Sequence, residues 1–299
     1  MIHLLRFKLL TVVVILVSFG TLAWAEDTYI AVAAAYEPEV AAVKKIFASD
    51  KTKVSEKSIH GIDFEIVDYG GKKLLFFPTG MSLTNAAMST QIALDHFPIS
   101  SFLFSGIAGG INPHLLPGDV TIPGKWFYHG EAAYFNPKST GGYEVSTYFK
   151  PKYPNFDSQF PDDVTVIRPG MNKPKRKASF AADPKLLSLA RRALKKAPPI
   201  QVGERQATIK IGGPGVAGTV FMDNARYREW VWSTWKADCL DMESTAIAQV
   251  CWVNQKPFLI VRALSDLAGG QKGLNQIDDF ETISSENAAT VLKTIVDAM

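Results

Sequence analysis

Three carboxylates, Asp241, Glu243 and Asp266, flank a single arginine, Arg262, in the stretch Cys239 to Gly270. Carboxyl groups held in different protonation states can divide acid and base work, and an arginine buried in a strand needs carboxylate or ligand partners to be tolerated. Each acid alone has a plainer reading: Glu243 complements a helix amino terminus, and Asp266 caps the next helix. The combination with Arg262 is what points to a site.

The elements around these residues follow from their pattern. After Glu243, apolar residues recur at helical spacing through Ala246, Ile247, Val250, Cys251 and Val253, and Pro257 stops the run. Phe258 to Leu264 is continuously apolar and β-branched except for Arg262, as in a strand buried on both faces of a largely parallel sheet. Asp266 then stands at the carboxyl end of that strand, where open α/β sheets place their ligands. Glu243, at a helix mouth, is expected to border the same cleft.

Upstream, Tyr29 to Ala35 reads as a strand, and Glu37-Pro38-Glu39 opens a helix through Val40, Val43, Ile46 and Phe47. Acids are favoured at such a start by the helix dipole, so Glu37 and Glu39 have an ordinary explanation there, while one of them can also face the cleft. Phe64 to Asp68 and Lys73 to Pro78, joined by Gly70-Gly71, read as a hairpin. A helix follows from about Thr84 to His96. Ser101 to Phe104 is a strand leading into a glycine-rich turn, Gly106 to Gly110, whose Ile107, Ala108 and Gly109 amides would approach a ligand. That turn has neither the spacing of a dinucleotide fingerprint nor the lysine of a phosphate loop.

Pro117 to Ile122 reads as another strand. From Pro123 to about Lys177 the chain is rich in Pro, Gly, Tyr, Phe and Asn and is expected to be a long lid or subunit-contact loop. Its basic run, Lys173 to Lys177, reads as a solvated loop. Asp183-Pro184 starts an amphipathic helix, Gln206 to Ile211 is a strand, and Gly212 to Gly218 is a second glycine-rich connection. Phe221 and Met222 line a ligand pocket or pack in the core, a helix with Tyr227 and Trp230 follows, and Asn287 to Ala298 forms the last helix.

Composition narrows the function classes. Arg6 and Lys8, the apolar run Leu9 to Phe19 and the Ala23-Trp24-Ala25 site form a secretory signal peptide, residues 1–25, so the protein is expected to be exported, periplasmic or secreted. The formal charge is +3, and losing those two basic residues with the leader leaves +1. A chain so near neutrality gives no support for nucleic acid or, after leader cleavage, membrane as a partner. The 2 cysteines, Cys239 and Cys251, read as buried thiols, and the 5 histidines lack ligand spacing, so no metal site and no cofactor are expected.

GIAGGINPHLLPGDVTIP from Gly106, LDMESTAIAQVC from Leu240 and VRALSDLAGG from Val261, in that order, resemble the nucleoside phosphorylase and nucleosidase superfamily. The nearest likeness is to the 5′-methylthioadenosine/S-adenosylhomocysteine nucleosidases and their secreted, storage-protein-like relatives. The resemblance implies one three-layer α/β/α domain over residues 26–299, built on a twisted mixed β-sheet, with the site near the interface of a homo-oligomer. It also implies a small-molecule purine nucleoside as ligand. Glu39 matches the acid that activates water, Glu243 the carboxylate on the ribose hydroxyls, and Asp266 the acid at purine N7. Met242 matches the residue beneath the sugar, Phe221 the aromatic on the base, Arg262 an arginine near the water and Glu243, and Ser265 a neighbour of the acid. Ile107 stands where cytosolic nucleosidases carry a serine.

Cleaving an N-glycosidic bond builds positive charge on the sugar and negative charge on the base, so carboxylates near the sugar and a protonated carboxyl at the base both favour the transition state. Hydrolysis is therefore the expected reaction. Phosphorolysis by a purine nucleoside phosphorylase is the alternative, less favoured because the segments flanking the site offer no cationic phosphate pocket. A non-catalytic nucleoside-binding or storage protein is the third reading.

Overall fold

At the centre of the chain's main sheet, Ile99–Gly110 runs parallel to Tyr29–Ala34 on one side and to Phe258–Asp266 on the other. These strands belong to the computed structural model of the protein, which describes residues 28–48 and 51–299. The leader expected over residues 1–25 lies outside the described residues. All 9 residues of Phe258–Asp266 are buried, which explains its nearly unbroken apolar sequence. The sheet has 12 strands and is mixed: Lys72–Pro78 continues it in parallel beyond Tyr29–Ala34, and Ile62–Tyr69 and Lys51–Ile59 close that side as antiparallel neighbours.

Helices cover both faces. Glu37–Ile46 and Pro184–Leu194 pack against the long Ile277–Asp297, while Leu83–His96 packs against Ser244–Val253. Asp183 accepts hydrogen bonds from the Lys185 and Leu186 amides, capping a helix whose first residue is Pro184. Asn224 does the same for Ala225–Trp235 through the Tyr227 amide. The expected α/β/α architecture is thus present.

Several local expectations need correction. Gly106 to Gly110 is not a turn but the second half of the Ile99–Gly110 strand. Its missing side chains serve neighbouring elements, since a β-carbon on Gly106 would lie 1.9 Å from Arg262 Nη1. Likewise Gly212 to Gly218 contains the strand Pro214–Ala217, where Gly215 leaves room for the buried Trp126 ring. Lys51–Ile59, an added edge strand, is exposed along most of its length and carries no apolar alternation to announce it. The last helix starts at Ile277, ten residues before Asn287.

The segment from Pro123 to Lys177 is folded. It contains five short strands, among them Lys125–Tyr128, which joins the main sheet, and Val164–Val166 paired with Lys175–Lys177. Its aromatic residues pack among themselves and onto Ala225–Trp235: Phe156 lies against Tyr227 and Trp230, and Tyr153 against Trp235. None of its residues lines the cavity described next.

Candidate active site

The carboxyl ends of the central strands open into a cavity of about 190 Å³. Glu39, Ile107, Ala108, Gly109, Phe221, Met222, Met242, Glu243, Ser265 and Asp266 all line it. Arg262 does not. It is fully buried behind the carboxylates, where its guanidinium stacks 4.2 Å from the Phe104 ring centroid.

Arg262 is the hub of the arrangement. Its Nε donates to Asp241 Oδ2 at 2.6 Å, Nη1 to Glu39 Oε1 at 3.2 Å and Nη2 to Glu243 Oε2 at 3.0 Å. Three carboxylates around one guanidinium leave an excess of negative charge in a dry place, so burial resists ionisation of Glu39 and Glu243. Burial pushes Glu243 up to about 7, with Arg262 opposing the rise and Asp241 and Glu39 adding to it. Glu39 is raised for the same first reason, against Arg262 and two backbone donors. Burial would lower Arg262, but the three carboxylates outweigh it and hold the guanidinium above its ordinary range.

Backbone donors fix each acid. Glu39 Oε2 accepts from the Ala35 amide and Oε1 from the Ile107 amide, both at 2.7 Å. Ile107 thus reaches the site through its main chain whatever its side chain is. Asp241 accepts from the Glu243 and Ser244 amides and from the Ser244 hydroxyl, which ties down the turn into Ser244–Val253. Glu243 Oε1 accepts from the Ser82 amide at 2.8 Å, and Ser82 has φ +78°, a conformation that favours glycine. Sterically disfavoured backbone of this kind clusters where a structure over-determines it.

Asp266 stands apart from the arginine hub. Its Oδ2 accepts from Ser265 Oγ at 2.8 Å and its Oδ1 from the Ala268 amide at 2.7 Å, with Asn275 at 3.4 Å. Ala268 also has a positive φ, +51°. Burial raises Asp266, and these hydrogen bonds oppose the rise without cancelling it. Gly109 leaves it space, since a β-carbon there would lie 3.2 Å from Oδ1.

Phe221 is 56% exposed and sits at the rim with Val220 and Met81, while Met222 is half-buried. Sequence reasoning missed Tyr36, Met81, Ile277 and Glu281, which also line the cavity. Tyr36 and Glu281 are hydrogen-bonded partners 245 positions apart, and no local pattern signals such a pair. Cys239 and Cys251 are free and buried, as expected. Among the described residues no cluster of His, Cys, Asp and Glu could hold a metal ion.

A mixed sheet between two helical layers, with acids gathered in a cavity at the carboxyl ends of its central strands, defines an α/β/α protein whose candidate ligand site lies where such sheets bind theirs. The family model of the Phosphorylase superfamily matches residues 29–297, and the chain belongs to that superfamily. The chain is 28% identical over 264 residues to a 5′-methylthioadenosine/S-adenosylhomocysteine nucleosidase of Marinomonas sp., covering 88% of this chain and 95% of that one. A nucleosidase of the same name from Bacillus subtilis is 27% identical over 267 residues, with 89% and 97% covered. Among solved structures, the futalosine hydrolase of Helicobacter pylori superimposes with a TM-score of 0.69 at 19% identity, covering 91% of this chain and 99% of that one. The 5′-methylthioadenosine/S-adenosylhomocysteine nucleosidase of the same organism does so with a TM-score of 0.69 at 20% identity, covering 92% and 100%.

Proposed function

We propose that the protein is a purine nucleosidase of the 5′-methylthioadenosine/S-adenosylhomocysteine type, hydrolysing the N-glycosidic bond and releasing the free base. The observation that carries this reading is the division of acids across one cavity. Glu39 and Glu243 share Arg262, whereas Asp266 stands apart with a raised affinity for its proton. Asp266 gives its proton to the base as the bond from C1′ breaks and the electron pair leaves with the base. Glu243 accepts hydrogen bonds from the ribose hydroxyls, and Met242 lies under the sugar. Glu39 takes a proton from the water that attacks C1′, so one water is consumed and base and free sugar result. Both Glu39 oxygens already accept amide hydrogen bonds, but a carboxylate has about four acceptor positions, which leaves room for the water.

Hydrolysis is favoured over phosphorolysis because no lysine or arginine lines the cavity. Arg262, the cation behind it, is fully buried and directed at three carboxylates. A phosphate would meet their charge rather than a fork of donors.

The test is base release from 5′-methylthioadenosine, S-adenosylhomocysteine, adenosine and inosine by purified protein, each with and without phosphate. Release that does not need phosphate is expected. Strict dependence on phosphate would establish a phosphorylase instead, and binding without any release would favour the storage-type reading.

The same reading takes the enzyme as exported and homo-oligomeric, supported by the leader pattern of residues 1–25 and by the exposed apolar rim of Met81, Val220 and Phe221. Mass spectrometry of the mature amino terminus and light scattering check these two points.

A further inference from the structure

Asp266 is the acid in the reaction proposed above, and a proton can be delivered only from an oxygen that is free to hold it. Its Oδ1 is not. That oxygen accepts from the Ala268 amide at 2.7 Å and from Asn275 Nδ2 at 3.4 Å, so two N–H donors take up its two lone pairs. The proton therefore belongs to Oδ2, which lies 2.8 Å from Ser265 Oγ. Ser265 Oγ has a second acceptor in reach, the Ala108 carbonyl at 3.5 Å, so its hydroxyl can turn there when Oδ2 is protonated.

Asn275 also has an ordinary role, since its Oδ1 accepts from the Ile277 amide at 2.9 Å where the Ile277–Asp297 helix begins. A flat carboxamide whose oxygen is committed to that cap must turn its Nδ2 the other way. There Nδ2 meets two carboxylates, Asp266 at 3.4 Å and Asp223 at 3.0 Å. Asp223 Oδ1 accepts in addition from Gln271 Nε2 at 2.8 Å, and Gln271 Oε1 from the Gly269 amide at 3.2 Å. The Asn224 amide donates to the Ala268 carbonyl at 3.0 Å, and a β-carbon on Gly269 would lie 2.2 Å from the Asn224 nitrogen, so the two segments run in contact. The loop that follows Asp266 is thus stitched to Asp223, one position past Met222 of the cavity wall. A helix cap requires none of this.

We infer that Asn275 is a positioning residue for the acid: held by Asp223, its Nδ2 fills Asp266 Oδ1 and so leaves the proton on Oδ2, the oxygen beside Ser265. The inference rests on the nucleosidase reading, in which Asp266 serves the base, and adds to it two residues that do not line the cavity. Without Nδ2, Oδ1 keeps one donor and either oxygen can carry the proton, so part of the protein is protonated at the wrong atom. The carboxyl plane is also free to turn. Misplacement of a reacting group costs rate rather than binding.

The test is turnover of 5′-methylthioadenosine by Asn275→Ser and Asp223→Ala, each alone and in the Asp266→Asn background. Serine is a preferred helix cap, so it keeps an acceptor for the Ile277 amide while its hydroxyl is too short to reach Asp266. Asn275→Ser is expected to lower kcat by about tenfold with KM changed by less than about twofold. Asp223→Ala, which frees the carboxamide to move, should lower kcat in the same direction but less. Asp223 is exposed, so its alanine variant carries the test should Asn275→Ser fold poorly. In the Asp266→Asn background neither change should cost more than about twofold, because residues that act through one group are not additive. A residue that only holds the fold would give the same loss in both backgrounds. That result, or wild-type kcat in Asn275→Ser, overturns the proposal and leaves the nucleosidase reading standing. A wild type that releases no base from any nucleoside overturns both.

Discussion

A β-carbon built on Gly106 would fall 1.9 Å from Arg262 Nη1 and 2.2 Å from Glu39 Oε1. The two strands are paired in register at these residues, so Gly106 is the empty place that lets the guanidinium reach Glu39. Arg262 cannot yield, because three carboxylates from three elements hold it. Gly106→Ala is therefore expected to destabilise the fold by about 1–3 kcal/mol, the range for overpacking a tight interior. Thermal unfolding should show a fall of roughly 5 °C. A midpoint within a degree of wild type would mean that the arginine hub is looser than its geometry.

Removing the arginine should be worse than crowding it. Arg262→Met keeps much of the packing on Phe104 but leaves Glu39, Asp241 and Glu243 buried without their shared cation. The expected loss is about 3–5 kcal/mol, read from urea unfolding, as for a buried ion pair stripped of one partner. Arg262→Lys should fall between, since an ammonium supplies charge but not the planar fork that addresses three acids at once. Equal stability of Met and Lys variants would argue that charge compensation matters little here.

Asp266→Asn separates chemistry from binding. The amide keeps the size of the carboxyl group and can still accept from Ser265 Oγ or the Ala268 amide, but it has no acidic proton to deliver. Turnover should drop by about 10²–10⁴-fold while nucleoside affinity, measured by calorimetry, changes little. Unchanged kcat would remove Asp266 as the acid.

What could be read in the chain beforehand depended on the range of the physical cause. The Phe258–Asp266 strand was legible because burial on both faces demands an apolar run, and its one exception, Arg262, advertised that partners must exist. The helix after Asp183-Pro184 was legible because its cap is local. Gly106 to Gly110 misled because glycine ordinarily signals a turn, whereas here its missing side chain is required by Arg262 on another strand. Lys51–Ile59 was silent since an exposed edge strand need not alternate. The Tyr36 and Glu281 pair had no signal at all, because only the fold brings the two ends of the domain together.

The pH dependence follows from Glu243, which burial lifts from an ordinary value of 4.5 to about 7. Between those values the folded chain holds a proton that the unfolded chain has released, so stability falls as pH rises across this window. The contribution is complete below about 4.5 and lost above about 7. Activity should run the other way, because an ionised Glu243 is the better acceptor for ribose hydroxyls. Over pH 5 to 8, kcat/KM is expected to rise through a midpoint near 7, while the unfolding temperature of wild type declines relative to that of Glu243→Gln, which has no proton to lose there. Glu39 is shifted in the same direction and reinforces the slope. Parallel pH profiles of stability for the two proteins would show that Glu243 is ionised throughout, with Arg262 and not burial in control of its charge.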